Sequence, residues 1–339
     1  MTLILMDGFD IYDTGDFALH WTSGASMATI GTSPVRALSR RSLYLSATNV
    51  SPAIASFGTD YVQGVIGFGL YFTNSAANRS AIARILDGTS EQISIRTNSS
   101  SVLIVSRNGT TLATGSTVLT SNTWYYIELK FTIGTGTAGA IELKLNGASE
   151  IAATSSLNTR ATSNTLWNGL GLVTQNQTGN AGYYDDVYAL DPTSGTNTDF
   201  LGPVSIIALA PSAAGNAAAW TPSSGTNHGA VSETAQDGDT TFNQSSTANQ
   251  IDTFAYQNLP IAAGSVYAVQ HVLVAKHDGG ARSIAPVCRQ SSTDYVGTTR
   301  AVSSTYAPYK EIREVDPATS SAWTVSGVNS AEFGYKLIS

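Results

Sequence analysis

Residues 121–147, SNTWYYIELKFTIGTGTAGAIELKLNG, decide the fold class of this chain. In IELKFT (127–132) apolar side chains alternate with Glu128 and Lys130, and AIELKL (140–145) repeats the same two-residue period. Because successive side chains of a strand point to opposite faces, each stretch predicts a strand with one buried and one solvated face. The glycine–threonine run between them predicts a short connection. The whole stretch is therefore predicted to be a β-hairpin in an antiparallel sheet.

The same pattern recurs through the first half of the chain. Residues 81–97 are predicted to form a second hairpin, and residues 102–115 a third that turns at Asn108-Gly109, the strongest short-range hairpin signal. Residues 62–72, VQGVIGFGLYF, form an apolar run with three glycines, which predicts a central strand that another layer approaches closely. About a dozen short strands, separated by turns roughly every 8–12 residues, are typical of a β-sandwich or jelly roll.

A boundary between two domains is predicted where this pattern stops, at DPTSGTNTDFLGPV (191–204). Asp-Pro followed by small polar residues is typical of a turn or linker. Strand patterns resume at 251–257 and 265–276. The predicted architecture is all-β, with an N-terminal antiparallel jelly roll or β-sandwich (1–195) and a smaller C-terminal β domain (203–339).

Helix signals are scarce. SAAGNAAA (212–219) has neither a cap nor an apolar stripe, so no helix is predicted there. SGVNSAEFG (326–334) predicts one helical turn that begins at Ser326 or Asn329 and ends at Gly334.

Composition restricts the classes of partner. Only 12% of the 339 residues are charged, the net charge is −7, and the basic residues are scattered, so we expect no nucleic-acid binding. The apolar run in MTLILMDGFD is too short for a signal peptide and no run is long enough to span a membrane, so we expect synthesis in a cytoplasm and no membrane insertion. The one cysteine, Cys288, is expected to be a buried apolar side chain rather than a reactive thiol.

Carboxylate pairs are the first candidates for catalysis, because glycoside hydrolysis needs two acids that face one cleft. Glu128 and Glu142 each lie beside a lysine on the alternating polar side of a predicted strand, which favours a solvated surface role. Asp185 and Asp186 are adjacent, so a regular strand would place their side chains on opposite faces. We therefore predict no catalytic residue and a protein that is not an enzyme.

Metal and cofactor signals are also weak. The histidines lack the close spacing of a zinc site. Asp237 and Asp239, in QDGDTT, resemble a fragment of a calcium loop, but the rest of such a loop is missing and a turn is favoured. We predict no metal site and no cofactor. The histidines are His20, His228, His271 and His277.

The tryptophans are the last candidates for a binding role. Exposed tryptophan and tyrosine rings stack on sugars in carbohydrate-binding modules, but core packing is the commoner fate of a tryptophan beside a strand. We therefore expect core positions. The residues are Trp21, Trp124, Trp167, Trp220 and Trp323.

The hairpin resembles the central hairpin of concanavalin A-like (laminin-G-type) sandwich domains. The resemblance rests on WYYIELKF (124–131), on GAIELKLNG (139–147) and on YYDDVYALD (183–191), which resembles the closing strand of such domains. Together with MDGFDIY (6–12) it covers about the first 191 residues. It implies the sandwich fold. The calcium and sugar sites of the family are not carried over, because their loop residues have no match here.

The C-terminal half resembles structural proteins of tailed bacteriophages. The motifs are EVDPATSSAWTVSGVNSAEFGYKL (314–337) and QDGDTTFNQSSTANQIDTFAYQNLP (236–260). The resemblance implies a non-enzymatic virion component, such as a fibre, spike or decoration protein, located in the virion. Its partners would be other virion proteins, further copies of itself with a trimer as the first expectation, and a host surface glycan. The alternatives are a carbohydrate-binding adhesin module and, in third place, a glycan depolymerase.

Overall fold

A computed structural model describes residues 2–46, 52–74, 76–174 and 181–339. The chain forms two compact units, Thr2–Ile206 and Ile207–Ser339. Strands make up most of the regular structure of both.

The first unit is a sandwich of antiparallel sheets. Within the described residues, the larger sheet has the strand order β12-β11-β10-β5-β14-β3-β2, with β1 also paired to β14, and the smaller sheet has the order β4-β13-β6-β7-β8-β9. This confirms the predicted all-β sandwich. The strands are β1 (Leu3–Asp7), β2 (Ala28–Gly31), β3 (Ser42–Leu45), β4 (Ala53–Tyr61), β5 (Gln63–Phe72), β6 (Ala83–Asp87), β7 (Ser90–Thr97), β8 (Val102–Arg107), β9 (Thr110–Val118), β10 (Trp124–Thr132), β11 (Gly139–Leu145), β12 (Ala148–Leu157), β13 (Trp167–Leu172) and β14 (Gly182–Leu190).

The predicted hairpin is the pair β10 and β11, with Ile127 opposite Leu145 and Phe131 opposite Ile141. These apolar side chains lie in the core between the two sheets, as the two-residue period predicts. The predicted central strand is β5, which lies between β10 and β14. Its Gly64 is closely packed, because a Cβ there would lie 2.4 Å from the ring of Trp167.

Residues 199–206, here called the strap, belong to the first unit and not to a linker. The backbone N–H of Gly202 donates to Glu128 Oε1 at 2.9 Å, and that of Ile206 donates to Asp186 Oδ1 at 2.6 Å. The carbonyl of Val204 accepts a 2.8 Å bond from Arg36. Side chains of the sandwich thus satisfy the strap's backbone, so the first unit extends past the predicted limit at residue 195 to Ile206.

The second unit is also built of antiparallel strands. Within the described residues its main sheet has the order β15-β18-β26-β20-β21, with β22 also paired to β20. Phe254, Cys288 and Phe333 are among its buried apolar side chains. The strands are β15 (Pro211–Ala218), β16 (Thr221–Pro222), β17 (Asn243–Gln244), β18 (Ile251–Tyr256), β19 (Val269–Ala275), β20 (Arg282–Gln290), β21 (Thr293–Val296), β22 (Arg300–Val302), β23 (Ala307–Arg313), β24 (Val315–Asp316), β25 (Ser321–Ala322) and β26 (Glu332–Leu337).

Within the described ranges of the chain, helices are few and short. They are α1 (Phe17–His20), α2 (Val325–Ser330) and the single 3-10 turns Thr14–Asp16 and Gly229–Val231. The predicted helical turn is α2, but it begins earlier than predicted, because the side chain of Thr324 caps it by accepting from the N–H of Gly327. The predicted end, Gly334, lies within β26. Among the described residues no helix is long and apolar enough to cross a membrane.

Candidate functional site

A row of four aromatic side chains crosses the outer face of the larger sheet. Tyr44 on β3 lies opposite Tyr183 on β14, Tyr183 lies opposite Tyr71 on β5, and Tyr71 lies opposite Trp124 on β10. Their neighbours along the strands, such as Leu70 and Tyr184, point into the core, so the four rings point outward. All four are half-buried. We call this row the aromatic ladder.

The ladder is continuous but not flat. Ring centroids are 5.1 Å apart for Tyr44 and Tyr183, 5.9 Å for Tyr183 and Tyr71, and 5.4 Å for Tyr71 and Trp124. Neighbouring ring planes are inclined by 54°, 83° and 48°. With strands about 4.8 Å apart, four rungs span roughly 14 Å. The result is a corrugated apolar surface that also carries phenol and indole polar groups.

The polar groups of the ladder are hydrogen-bond donors. The hydroxyl of Tyr71 donates to Asn122 Oδ1 at 3.1 Å. Burial, together with the nearby Tyr44 and Tyr71, raises the pKa of Tyr183 above its usual value of 10.0, so its phenol stays protonated. These hydroxyls can bind polar ligand groups, whereas the raised pKa makes Tyr183 a weak candidate for a base.

Arg36 borders the ladder on the same face of the sheet. It lies over Gly69, where a Cβ would be 2.3 Å from Arg36 Cδ, and its guanidinium carbon is 4.6 Å from the centroid of the Tyr126 ring. The guanidinium is also ion-paired with Asp186. The missing side chain at Gly69 therefore makes room for a cation that the Tyr126 ring and Asp186 hold in place.

The structure corrects the prediction that Asp185 and Asp186 lie on opposite faces. The register of β14 against β5 shifts after Asp185, and Asp186 has a φ of +51°, which together form a bulge. Asp185 accepts from the backbone N–H of Arg36 at 3.0 Å, and Asp186 pairs with the Arg36 side chain. Burial and the charge of Asp186 raise the pKa of Asp185, whereas Arg36 opposes the burial that raises the pKa of Asp186.

The structure also corrects the solvated role predicted for Glu128. Its side chain is on the polar side of β10, yet it is fully buried beneath the strap. Its Oε1 accepts from the hydroxyl of Tyr188 at 2.6 Å and from Gly202 N–H. Lys144 lies opposite Glu128 in the register, but its ammonium lies 4.3 Å from the Phe200 ring of the strap instead. Alternation identified the face correctly but not what covers it.

The candidate ion ligands make contacts within the protein. Asp237 accepts from the N–H and the hydroxyl of Thr241 at 3.1 and 2.7 Å, as expected for a turn. Asp239 is ion-paired with Lys276 and accepts from the hydroxyl of Tyr306. In the part of the chain that the structure describes, no group of three or more histidine, cysteine, aspartate or glutamate side chains could hold a metal ion.

The single cysteine and the buried histidine lie in the second unit. Cys288 is buried, as predicted, and burial raises the pKa of its thiol to about 11. His271 is also buried, and burial together with Arg313 lowers its pKa to about 3. Neither group is suited to acid–base or nucleophilic chemistry at neutral pH.

The tryptophans divide into core and surface positions. Trp21, Trp167 and Trp323 are buried, as predicted, and the indole of Trp21 donates to Asp7 at 2.9 Å. Trp124 is half-buried and belongs to the aromatic ladder. Sequence reasoning missed the ladder, because its tyrosines are far apart in the chain and only the strand register brings them together. The one signal within each segment is that the aromatic residue stands beside residues of the core.

No protein-family model and no curated protein matches the chain. Solved structures do resemble it. Alginate lyase Aly36B, in a variant complexed with alginate tetrasaccharide, has 13% identity over 55% of this chain and 96% of its own, with a TM-score of 0.37. The endo-β-1,4-glucuronan lyase of the fungus Trichoderma reesei has 12% identity over 48% of this chain and 86% of its own, with a TM-score of 0.35. The binding domain of Paraclostridial Mosquitocidal Protein 1 has 13% identity over 58% of this chain and 50% of its own, with a TM-score of 0.38.

The prediction that the protein is not an enzyme is withdrawn, and polysaccharide lyases are among the solved structures that resemble the chain. That prediction rested on the missing pair of carboxylates, which is a requirement of glycoside hydrolysis. Lyases cleave by elimination, which does not need such a pair, so its absence does not exclude catalysis. At these low identities the similarities carry no particular activity over to this chain. None of the structures named here is a phage virion protein, so the virion resemblance stays a prediction.

Proposed function

We propose that the first unit binds carbohydrate and that the aromatic ladder is its binding surface. The observation that carries this proposal is the register of Tyr44, Tyr183, Tyr71 and Trp124, which places four outward-facing aromatic rings side by side. A continuous row of half-buried aromatic side chains on the outer face of a sheet favours contact with a ligand or partner. A pyranose ring offers an apolar C–H face for stacking and hydroxyl groups at its edge, and the ladder offers complements to both.

The ladder also has the dimensions of an oligosaccharide rather than of a single sugar. Its four rungs span roughly 14 Å across the strands, which is longer than one ring. The strands hold the rungs in place, because Tyr44 and Tyr71 each lie between two core residues and Tyr183 and Trp124 each precede one. Binding to such a preformed surface would require little ordering of the protein.

A glycan array probed with the full chain, followed by titration calorimetry on the best ligand, tests this proposal. Tyr71→Ala and Tyr183→Ala should each weaken binding by about tenfold or more, the cost of removing a central aromatic contact. Tyr71→Phe keeps the ring and should retain most of the affinity. Tyr267→Ala removes a tyrosine of the second unit that is 39% exposed and should have no effect.

The absence of binding to any glycan would overturn the proposal, as would binding that the ladder variants leave unchanged. Each glycan that binds should also be incubated with the chain and monitored for ultraviolet absorbance, because elimination creates a new carbon–carbon double bond. Cleavage that Tyr71→Ala abolishes would place a lyase activity on the same face.

Membership of a tailed-phage particle, in a homo-oligomer such as a trimer, remains a separate prediction. It is supported by the resemblance of residues 236–260 and 314–337 and is compatible with glycan binding. Mass spectrometry of purified particles would test the membership, and light scattering would test the oligomeric state.

A further inference from the structure

We infer that the carbohydrate recognised by the aromatic ladder is an uncharged glycan rather than a polyuronate or sulfated chain. This inference rests on the proposed function. It comes from the charges around the ladder, which neither the fold nor the similar structures determine.

Among the described residues, the positions that border the ladder along its own strands are neutral or buried. On each strand, the residues two positions before and after a rung share its face of the sheet. Serine, threonine, glycine, alanine, asparagine and tyrosine occupy these positions in and beside β3, β5, β10 and β14, with one exception. The exception, Asp185, is fully buried. On β2 the ladder continues to Thr29, which lies opposite Tyr44 and is exposed.

The cation beside the ladder has its charge compensated. Arg36 is ion-paired with Asp186, donates to the carbonyl of Val204 at 2.8 Å and lies over the Tyr126 ring, with 14% of its side chain exposed. An acidic glycan that took Arg36 Nη1 away from Asp186 would leave a completely buried carboxylate behind. Leaving that carboxylate buried without its partner would cost more than a surface ion pair returns.

Asp10, a third acid close to Asp185 and Asp186, lies beside two further arginines. Asp10 accepts from the backbone N–H groups of Arg40 and Arg41 at 2.8 and 2.7 Å, and Arg41 donates to the carbonyl of Tyr12. The net charge of the chain is −7, so its wider field also repels polyanions.

The test compares neutral with acidic glycans on the array and then measures the best ligand of each class by calorimetry at low and at physiological salt. We expect the neutral class to bind at least tenfold more tightly, with an affinity that salt does not change. Tighter binding of acidic glycans, weakened by salt and by Tyr71→Ala, would overturn the inference and leave the proposed function intact. If no glycan binds, the proposed function itself fails.

A designed charge supplies a second measurement. Thr29→Lys adds a cation at the β2 end of the ladder, at an exposed position that should tolerate it, and Thr29→Gln is the neutral control. The lysine variant should gain affinity for acidic glycans severalfold at low salt and keep its affinity for neutral ones. If wild type and Thr29→Lys bound acidic glycans with equal affinity, the result would contradict the inference that the ladder excludes anions because it lacks a free cation.

Discussion

The hydroxyl of Tyr188 donates a 2.6 Å hydrogen bond to Glu128, and the strap covers both side chains. The same Glu128 oxygen accepts from Gly202 N–H, and Leu201 N–H donates to the Tyr188 hydroxyl at 3.3 Å. A buried carboxylate thus connects two strands of the sheet to the strap. Its other oxygen, Oε2, has no hydrogen-bond partner among the described residues.

We expect Glu128→Ala to destabilise the first unit by about 2 kcal/mol or more, because two buried donors lose their acceptor. Glu128→Gln keeps one oxygen for both donors, so it should lie within about 1 kcal/mol of wild type. The control Glu142→Ala, on the next strand and half-buried, should change stability by less than about 0.5 kcal/mol.

Urea unfolding of the full chain measures these differences, and hydrogen exchange of peptides from 199–206 reports on the strap itself. Exchange of the strap should accelerate in Glu128→Ala. Equal stability of the two alanine variants would show that the strap does not depend on this carboxylate.

The buried acids give the first unit a distinctive pH dependence. Burial and the charge of Asp186 raise the pKa of Asp185, and burial raises that of Asp10. A carboxyl group with a raised pKa holds its proton more tightly in the folded state, so its contribution is complete at low pH and is lost as pH rises from 3.8 through the raised pKa. We expect Asp185→Asn to lose less stability than wild type over this range.

Denaturant unfolding of wild type and Asp185→Asn, in buffers from acidic to mildly alkaline pH, measures how the free energy of unfolding of each protein changes with pH. Asp278→Asn, at an exposed position of the second unit, is the control and should follow wild type. If the free energy of unfolding changed with pH in the same way for wild type and Asp185→Asn, Asp185 would be ionised throughout and Arg36 would compensate its charge fully.

The sequence predicts features that depend on the pattern of residues within a single segment of the chain. The hairpin of 121–147 follows from side-chain alternation alone, and the turn at Asn108-Gly109 joins β8 to β9 because these two residues adopt positive φ, 43° and 81°. The central position of β5 was predictable for a similar reason, since its glycines leave space for rings from other elements.

Features that depend on contacts between distant segments were not predictable. The bulge at Asp186 exists because Arg36, 150 residues away, pairs with it, and a regular strand would have separated the two aspartates. The ladder depends on a register that Tyr44, Tyr71 and Tyr183 cannot reveal individually. Glu128 is predicted on the correct face of its strand, yet its burial depends on the strap. The strap has no regular alternation of apolar and polar residues from which its position could be predicted.

The close packing of Gly67 against Tyr188 predicts a strong effect of one methyl group. A Cβ at Gly67 would lie 2.1 Å from the Tyr188 ring, which holds Glu128 and the strap. We expect Gly67→Ala to destabilise by about 1–3 kcal/mol or more, as overpacked cores do. Gly31→Ala, in β2 with no atom within 4 Å of the added Cβ, should be neutral or slightly stabilising. Thermal unfolding compares the two, and a similar effect at both sites would rule out overpacking as the cause.

Cys288 provides a reporter for the second unit. Its thiol is buried and burial raises its pKa to about 11, so the reactive thiolate is scarce at neutral pH and the sulfur is inaccessible. We expect a disulfide reagent such as Ellman's reagent to label the native chain at least a hundredfold more slowly than the urea-unfolded chain. Because the chain has one cysteine, the labelling rate in intermediate urea follows the opening of β20 and its neighbours, independently of the tryptophans in the first unit. Cys288→Ser, which no longer carries a thiol, gives the background rate. Rapid, stoichiometric labelling of the native chain would show that β20 is open to solvent and would contradict the buried position of Cys288.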